Sequence, residues 1–315
     1  MPIKIDIENI AFSKKTILTI GTFDGIHLGH QSILKNLIEE AKRFGLRSAL
    51  LTFEPHPQTV IRPERSPHMR ILTTIDEKEK ILENLGLDAL IVAQFDQSLA
   101  SLSGEEFIQR ILLDKIGMSK CVIGHDHAFG KNRSGNFELI KKMSLKGDYV
   151  VEQIETFTHD GLVVKSTLIR NLIKEGRVDQ ANQLLGRPYR YHGTVVKGDG
   201  RGRTIGYPTA NVSGDPLKLV PKSGVYACRA SVKGGNFNAV TNIGTRPTFK
   251  GDERLLIEVH IFDFNDDLYN SEIGIEFLYR IRDERKFSTT SELQKQIEDD
   301  IKTAKNKGFY PALSF

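Results

Sequence analysis

The sequence predicts two domains: a doubly wound α/β domain over residues 1–185, and an antiparallel β-barrel with a terminal helix over residues 186–315. Three observations carry this expectation. In the first half, short apolar runs alternate with amphipathic segments, the pattern of parallel strands joined by crossover helices. From Tyr191 onward, strand-like segments follow one another at close spacing, and helical periodicity returns only at Thr289. The chain of 315 residues suits two domains at roughly 150 residues each.

The segments TILTIG, SALLTF, ALIVAQF, KCVIG and DYVVEQI are apolar enough to be strands buried on both faces. Between them, HQSILKNLIEEAKRFG sets Ile33, Leu34, Leu37, Ile38 and Ala41 on one stripe and stops at Gly45. Two further helices open with capping boxes, Thr74 with Glu77 and Ser103 with Glu106, and close at Gly86 and Gly117. A helical stretch, KSTLIRNLIKEGRVDQANQLLG, runs to Gly186-Arg187-Pro188, where glycine ends a helix and proline prevents its resumption. The domain boundary is placed there. Beyond it, YHGTVVKG, GVYACRASV, FNAVTNIG, LLIEVHIFDF and EIGIEFLYRIR read as barrel strands. A third capping box, Thr289 with Glu292, opens a last helix whose Leu293, Ile297, Ile301 and Ala304 form a face expected to pack on the barrel.

With 39% apolar and 27% charged residues the chain reads as globular. No apolar run approaches the roughly 18 residues a bilayer requires, so neither secretion nor a membrane partner is expected. Cys121 and Cys228 sit in apolar surroundings without metal-ligand spacing, which points to buried thiols and a reducing cytoplasm. The net charge of +4 falls wholly within residues 186–315. That mild excess, with no tryptophan for base stacking, suits a phosphorylated small molecule better than a nucleic acid.

The first chemical constellation follows strand one directly, in Gly21-Thr22-Phe23-Asp24-Gly25-Ile26-His27-Leu28-Gly29-His30. Glycines let a backbone approach a ligand closely, a new helix end offers N–H groups to an anion, and two histidines can donate to phosphate oxygens. The segment lacks a P-loop pattern, and it has too few ligands for zinc. A lone histidine here would more simply be a cap. Ser166 and Thr167 could likewise be only a helix start and Arg170 a surface charge. His56, between two prolines, reads equally as a rigid turn or a ligand contact, and His125 and His127 flank Asp126 at the end of the fourth strand.

A second constellation lies in the barrel half, from Gly198 through Gly202, Arg203 and Gly206 to Pro208-Thr209-Ala210-Asn211. A Gly/Arg loop can cradle phosphates or be a plain flexible turn. A hydroxyl and an amide oxygen two apart in an extended segment are hard ligands suited to Mg²⁺ shared with phosphates. Along LLIEVHIF, Glu258 and His260 face one side and Ile257, Val259 and Ile261 the other, so without context Glu258 reads as part of a water-facing strand face.

The string His27-Leu28-Gly29-His30 matches the H-x-G-H signature of the nucleotidyltransferase superfamily, whose domain is Rossmann-like. TIGTFDGIHLGHQSIL, LTFEPHP, IGHDHAFGKNRSGNFELI and KSTLIRNLI, in that order, resemble the FMN adenylyltransferase half of bacterial bifunctional riboflavin kinase/FAD synthetases. GDGRGRTIGYPTAN, GVYACRA, TNIGTRPTF, LLIEVHIFDFNDDLYN and IRDERKF resemble the riboflavin kinase half. The resemblance implies phosphorylation of riboflavin to FMN and adenylylation of FMN to FAD, both from ATP with Mg²⁺. It implies that His27 and His30 polarise the ATP phosphates beside Gly21, Phe23, Gly25 and Gly29, with Ser166, Thr167 and Arg170 as a second clamp. It further implies flavin contacts at Asp24, His56 and Asp126, metal and ATP contacts at Thr209 and Asn211 beside the glycine loop, Glu258 as base, and closure of Arg282 to Phe287 over the flavin. Two positions depart from the family: Lys165, where serine is usual, and His127, where an aromatic is usual. The alternatives are a riboflavin kinase with weak or lost adenylylation, and another nucleotidyltransferase with an accessory barrel.

Overall fold

The protein is described by a computed structural model covering residues 3–10, 12, 15–65, 69–124, 127–198, 201–247 and 253–310. It forms two compact units, Met1–Lys165 and Ser166–Phe315.

The first unit runs β1 (Lys4–Asp6), β2 (Thr16–Ile20), α1 (Leu28–Phe44), β3 (Arg47–Glu54), α2 (Pro57–Ile61), α3 (Ile75–Leu85), β4 (Ala89–Gln94) and α4 (Gln97–Ser101). It continues with α5 (Gly104–Glu106), which passes into a π-helix at Phe107–Lys115, then β5 (Met118–Gly124), α6 (Phe137–Ser144), β6 (Val150–Ile154) and the small pair β7 (Thr158–His159) and β8 (Leu162–Val163). The six-stranded sheet has the order β1-β4-β3-β2-β5-β6 and is parallel throughout. Alternating strand residues divide the core into two layers. Leu18, Ile20, Leu51 and Ile91 pack with Phe107, Ile108 and Leu112, while Ile17, Leu50 and Leu90 meet Leu34, Leu37 and Ile38 of α1 and Leu82 of α3. Helices therefore cover both faces of the inner strands, as the apolar pattern implied, but the edge strand β6, from the segment DYVVEQI, holds no buried residue, against the expectation. The short β1, paired with β4, was not expected: three residues of alternating polarity carry no buried run.

Both N-terminal capping boxes are present, and Gly45, Gly86 and Gly117 all take the left-handed conformation. Beyond β2 the chain turns toward β3, and beyond β5 it turns the other way toward β6. This reversal opens a crevice at the carboxyl ends of β2 and β5, where ligands bind in such sheets.

The second unit holds α7 (Ser166–Lys174), α8 (Val178–Leu185), β9 (Tyr189–Val196), α9 (Arg201–Thr204), β10 (Ala210–Gly214), β11 (Gly224–Val232), β12 (Gly235–Pro247), β13 (Glu253–Ile261), β14 (Glu272–Arg282) and α10 (Thr290–Lys307). The strands close a barrel in the order β10-β13-β12-β11-β14-β9. β10, which lies in the PTAN segment read only as extended chain, completes the closure by pairing with both β9 and β13.

The α7–α8 hairpin belongs to the barrel unit. Buried Asn182 donates from Nδ2 to the Phe277 carbonyl at 2.8 Å and accepts the Tyr189 N–H on Oδ1 at 2.7 Å. The turn at Gly186, with φ of 67°, is thus a helix end within this unit. The third capping box differs from expectation. Thr289 accepts the Glu292 N–H at 3.2 Å, but the Glu292 carboxylate takes the N–H of Ser288 at 3.0 Å, so the reciprocal bond falls one residue early.

Candidate active sites

In the first unit, the loop after β2 brings together Gly21, Phe23, Asp24, Gly25, His27, Gly29 and His30 at the crevice. His27 is the N-cap of α1: its Nδ1 accepts the His30 N–H at 3.4 Å, which leaves Nε2 as the protonated nitrogen of the neutral ring. The His27 and His30 rings stack at 3.6 Å, and Phe23 stacks on His30 at 4.4 Å. The loop backbone is strained, because Phe23 (φ 43°) and Ile26 (φ 38°) are non-glycine residues in the left-handed region. Such residues persist only where the surroundings over-determine them, commonly at functional sites.

The restraints are specific. Asp24, buried, accepts from the N–H groups of Leu72 (2.9 Å) and Thr73 (3.0 Å) and from the Thr73 hydroxyl (3.3 Å). That same hydroxyl oxygen accepts the Gly25 N–H at 3.0 Å. Asp24, expected among the flavin contacts, here ties the loop to the start of α3. Lys78, one turn into α3, donates to the Thr22 carbonyl at 2.6 Å and to Thr52 Oγ1 at 3.4 Å. Burial pushes its ammonium below the usual lysine range, against the opposing pull of Asp24 and Glu54. The sequence hid Lys78 in the charged run DEKEK, which reads as a solvated helix face.

From the end of β5, His127 reaches the crevice, with Cε1 3.9 Å from where a side chain on Gly21 would begin. Asp126 and His125 lie outside the described residues. His56, at the end of β3, caps α2 by accepting the Gln58 N–H on Nδ1 at 3.3 Å, which is the rigid-turn role. Ser166 and Thr167 form the first turn of α7, with Arg170 half-buried on the same helix, all within the second unit. Lys165 is exposed.

In the barrel, one transverse row of the sheet carries the chemistry. The register places Glu258 directly opposite Asn211 on one side and Asn242 on the other, and Asn242 opposite Val225, which in turn faces Arg282. Directly opposed residues share a face with Cβ atoms about 5 Å apart. The face is the outer one, and α10 covers it. Among the described residues, the side chains of Glu258, Asn211 and Asn242 make no hydrogen bond to protein. A cavity of about 550 Å³ lies between this row and α10, lined by Thr209, Asn242, Glu258, Arg282 and Phe287 and roofed by Leu293 and Ile297. Of the helix face expected to pack on the barrel, Ile301 and Ala304 join the barrel cluster, and Leu293 and Ile297 line the cavity. Glu258 therefore lines a partly open cavity instead of a bare outer strand face.

The phosphate-loop residues surround one end of the cavity. Gly198 abuts the Asn211 amide so closely that an added Cβ would lie 2.1 Å from Nδ2, and a Cβ on Gly202 would lie 3.3 Å from Thr209 Oγ1. Gly202 belongs to the short helix α9, within the segment read as either a phosphate cradle or a plain turn, and its carbonyl accepts the Tyr207 N–H at 2.8 Å across the turn at Gly206 (φ 83°). The Arg203 side chain lies outside the described residues. His260 donates from Nδ1 to the Pro208 carbonyl at 2.9 Å, which holds the PTAN segment against β13. At the other end, Arg282 is fixed by Asp300 of α10 through bonds of 2.8, 3.1 and 2.8 Å, with its guanidinium 5.8 Å from the Phe287 ring. Asp300 and Asn242 were both missed in the sequence. Asp300 sits in an acidic run on a helix judged by its apolar stripe, and Asn242 in a strand judged by alternation alone.

Comparisons with known proteins match one family model to each half of the chain. A family model described as FAD synthetase matches residues 9–168, and one described as Riboflavin kinase matches residues 185–307. The bifunctional riboflavin kinase/FMN adenylyltransferase of Bacillus subtilis is 40% identical over 292 residues, covering 92% of each chain. That of Haemophilus influenzae is 39% identical over 289 residues, covering 91% of this chain and 92% of its own. A solved structure described as a macrolide-efflux protein from Streptococcus pneumoniae superposes with a TM-score of 0.88 at 30% identity, over 96% of this chain and 99% of that one. No described helix here is long and apolar enough to cross a membrane. With both family models matched in order, and relatives aligned over nearly their full length, the chain belongs to the bifunctional riboflavin kinase/FMN adenylyltransferase family.

Proposed function

We propose that the barrel unit phosphorylates riboflavin to FMN and the α/β unit adenylylates FMN to FAD, with ATP and Mg²⁺ used at both sites. The observation that carries this reading is the cavity lined by Glu258 and Asn242, whose side chains have no protein partner among the described residues, with Gly202 and Thr209 at one end, Arg282 and Phe287 at the other, and Asn211 paired with Glu258 beside it. Glu258 takes the proton of the ribityl 5′-hydroxyl as its oxygen attacks the γ-phosphorus, and ADP departs. Thr209 and Asn211 offer the hard oxygen ligands Mg²⁺ prefers, and Gly202 and Gly198 bring the loop backbone against these two side chains, closer than any residue with a Cβ could come. When bound, the ion neutralises the charge on the phosphates being separated.

Adenylylation needs less proton chemistry. The FMN phosphate is already ionised when it attacks the α-phosphorus and displaces pyrophosphate, so the protein's task is to hold like charges in line. His27 and His30 supply donors at the α1 N-terminus, where the helix dipole also favours anions. Ser166, Thr167 and Arg170 keep their role as phosphate donors, and Asp126 its role toward flavin, on the strength of the motifs. By the motifs alone the functional segments divide at 185/186, although α7 and α8 pack within the second compact unit. The two buried, unpaired cysteines, whose thiols burial pushes up to about 12, favour a cytoplasmic location.

The test of the kinase assignment is Glu258→Gln. The expected outcome is a riboflavin phosphorylation rate lower by roughly 10²- to 10⁴-fold with ATP binding retained. An unchanged rate returns Glu258 to a structural strand position.

A further inference from the structure

Lys78 is a buried cation for which neither reaction has a use. Bringing an ammonium out of water is costly, and a leucine or methionine would fill the same space without that cost. Among the described residues its hydrogen-bond acceptors are the Thr22 carbonyl at 2.6 Å and the Thr52 hydroxyl at 3.4 Å, and neither carries a charge. Asp24 and Glu54 lie near enough to support the charged form. The Asp24 carboxylate, however, is already engaged by Leu72 and Thr73.

The Thr22 carbonyl belongs to the peptide that begins the strained part of the histidine loop. In a trans peptide the C=O and the following N–H point in opposite directions. The ammonium that draws the Thr22 oxygen toward α3 therefore turns the Phe23 N–H away from α3. That N–H donates to no group among the described residues, although Phe23 is only 5% exposed. Orphaned N–H groups at buried residues are rare, and one beside a helix N-terminus is a ready donor to an anion. A cation on the carbonyl also polarises the peptide and strengthens its N–H as a donor.

We infer that Lys78 is a positioning residue for adenylylation: it orients and polarises the Thr22–Phe23 peptide so that the Phe23 N–H binds a non-bridging oxygen of the ATP α-phosphate. The inference rests on placing adenylylation at the histidine loop. It explains why the loop tolerates φ values of 43° at Phe23 and 38° at Ile26. Lys78, Asp24 and Thr73 together hold the strained shape, which leaves the Phe23 N–H without an acceptor among the described residues.

The test uses the full chain, with FMN and the two α-phosphorothioate diastereomers of ATP, in Mg²⁺. Sulfur accepts hydrogen bonds poorly, so an N–H on one non-bridging oxygen makes the enzyme prefer one diastereomer. The wild-type chain is expected to prefer one by about tenfold or more. In Lys78→Met that preference should shrink to within about threefold, kcat with ordinary ATP should fall by on the order of tenfold, and the KM for FMN should hold. Riboflavin phosphorylation by the same chain should be unchanged and reports that it is folded. Lys78→Gln, which keeps a neutral donor for the carbonyl, should give an intermediate preference and decides the matter if the methionine chain does not fold.

A wild-type enzyme indifferent to the diastereomers overturns the inference. So does a variant that is slower yet keeps the full preference, because Lys78 would then be structural only. His27→Ala separates this from the underlying site assignment. If it leaves adenylylation intact, the site itself is misplaced; if it abolishes adenylylation while Lys78→Met retains the diastereomer preference, only the role of Lys78 fails.

Discussion

Arg282 shows how a site residue can depend on a partner far along the chain. Its guanidinium meets Asp300 in a bidentate pair, and Gln296 adds a bond of 3.0 Å to the same carboxylate. The Asp300 side chain is 5% exposed and that of Arg282 21%. Removing one partner of a buried pair leaves the other charge uncompensated, at a cost of 3–5 kcal/mol when fully buried, and about 2 kcal/mol is expected here because solvent reaches Arg282. Asp300→Asn should therefore lower the melting temperature and raise the KM for riboflavin several-fold, with the KM for ATP little changed. Equal effects on both substrates in steady-state kinetics would contradict an orienting role on the flavin side. Glu258 was singled out through the family motif alone, because its strand pattern reads as a water-facing face. Asp300, Asn242 and Lys78 were not, because each sits in a segment whose pattern has a sufficient ordinary explanation and each gains its meaning from a contact more than 15 residues away.

The elements followed their patterns where the pattern was strong. The apolar runs became strands, buried in β2 to β5 but half-exposed in the edge strand β6, and the glycine stops and first two capping boxes fell where expected. The unexpected elements are short, among them β1, β7, β8, β10, α2, α4, α6 and the one-turn α9, and Phe107–Lys115 is π-helical, a widened turn that leaves no mark in residue spacing. The α7–α8 hairpin is the consequential case, because helical periodicity alone does not say which unit it packs against. Val178, Leu184 and Leu185 are buried, and Asn182 bonds to β14 and to the start of β9. Each such apolar side chain contributes about 1.5–3 kcal/mol, and 1 kcal/mol moves the melting temperature of a domain this size by roughly 2–4 °C. A fragment of residues 166–315 should therefore melt more than about 10 °C above one of residues 187–315. Calorimetry giving equal midpoints would show that the hairpin does not belong to the barrel's cooperative unit.

For the whole molecule, the central claim is that one chain carries two chemically independent sites that act in sequence. The kinase constellation lies in the second compact unit, and the histidine loop lies in the first. The product of the first reaction is the nucleophile of the second, so the sites can be interrogated separately by the substrate supplied. The most direct measurement compares wild-type, His27→Ala and Glu258→Gln chains, each incubated with ATP, Mg²⁺ and either riboflavin or FMN, with chromatographic separation of riboflavin, FMN and FAD. The account expects FAD from both substrates with wild type. His27→Ala should stop at FMN, with FAD formation slowed by on the order of 10²-fold, and Glu258→Gln should leave riboflavin largely unconverted while still turning FMN into FAD. Loss of both activities in either folded variant, or FAD formation at the wild-type rate by His27→Ala, would contradict it.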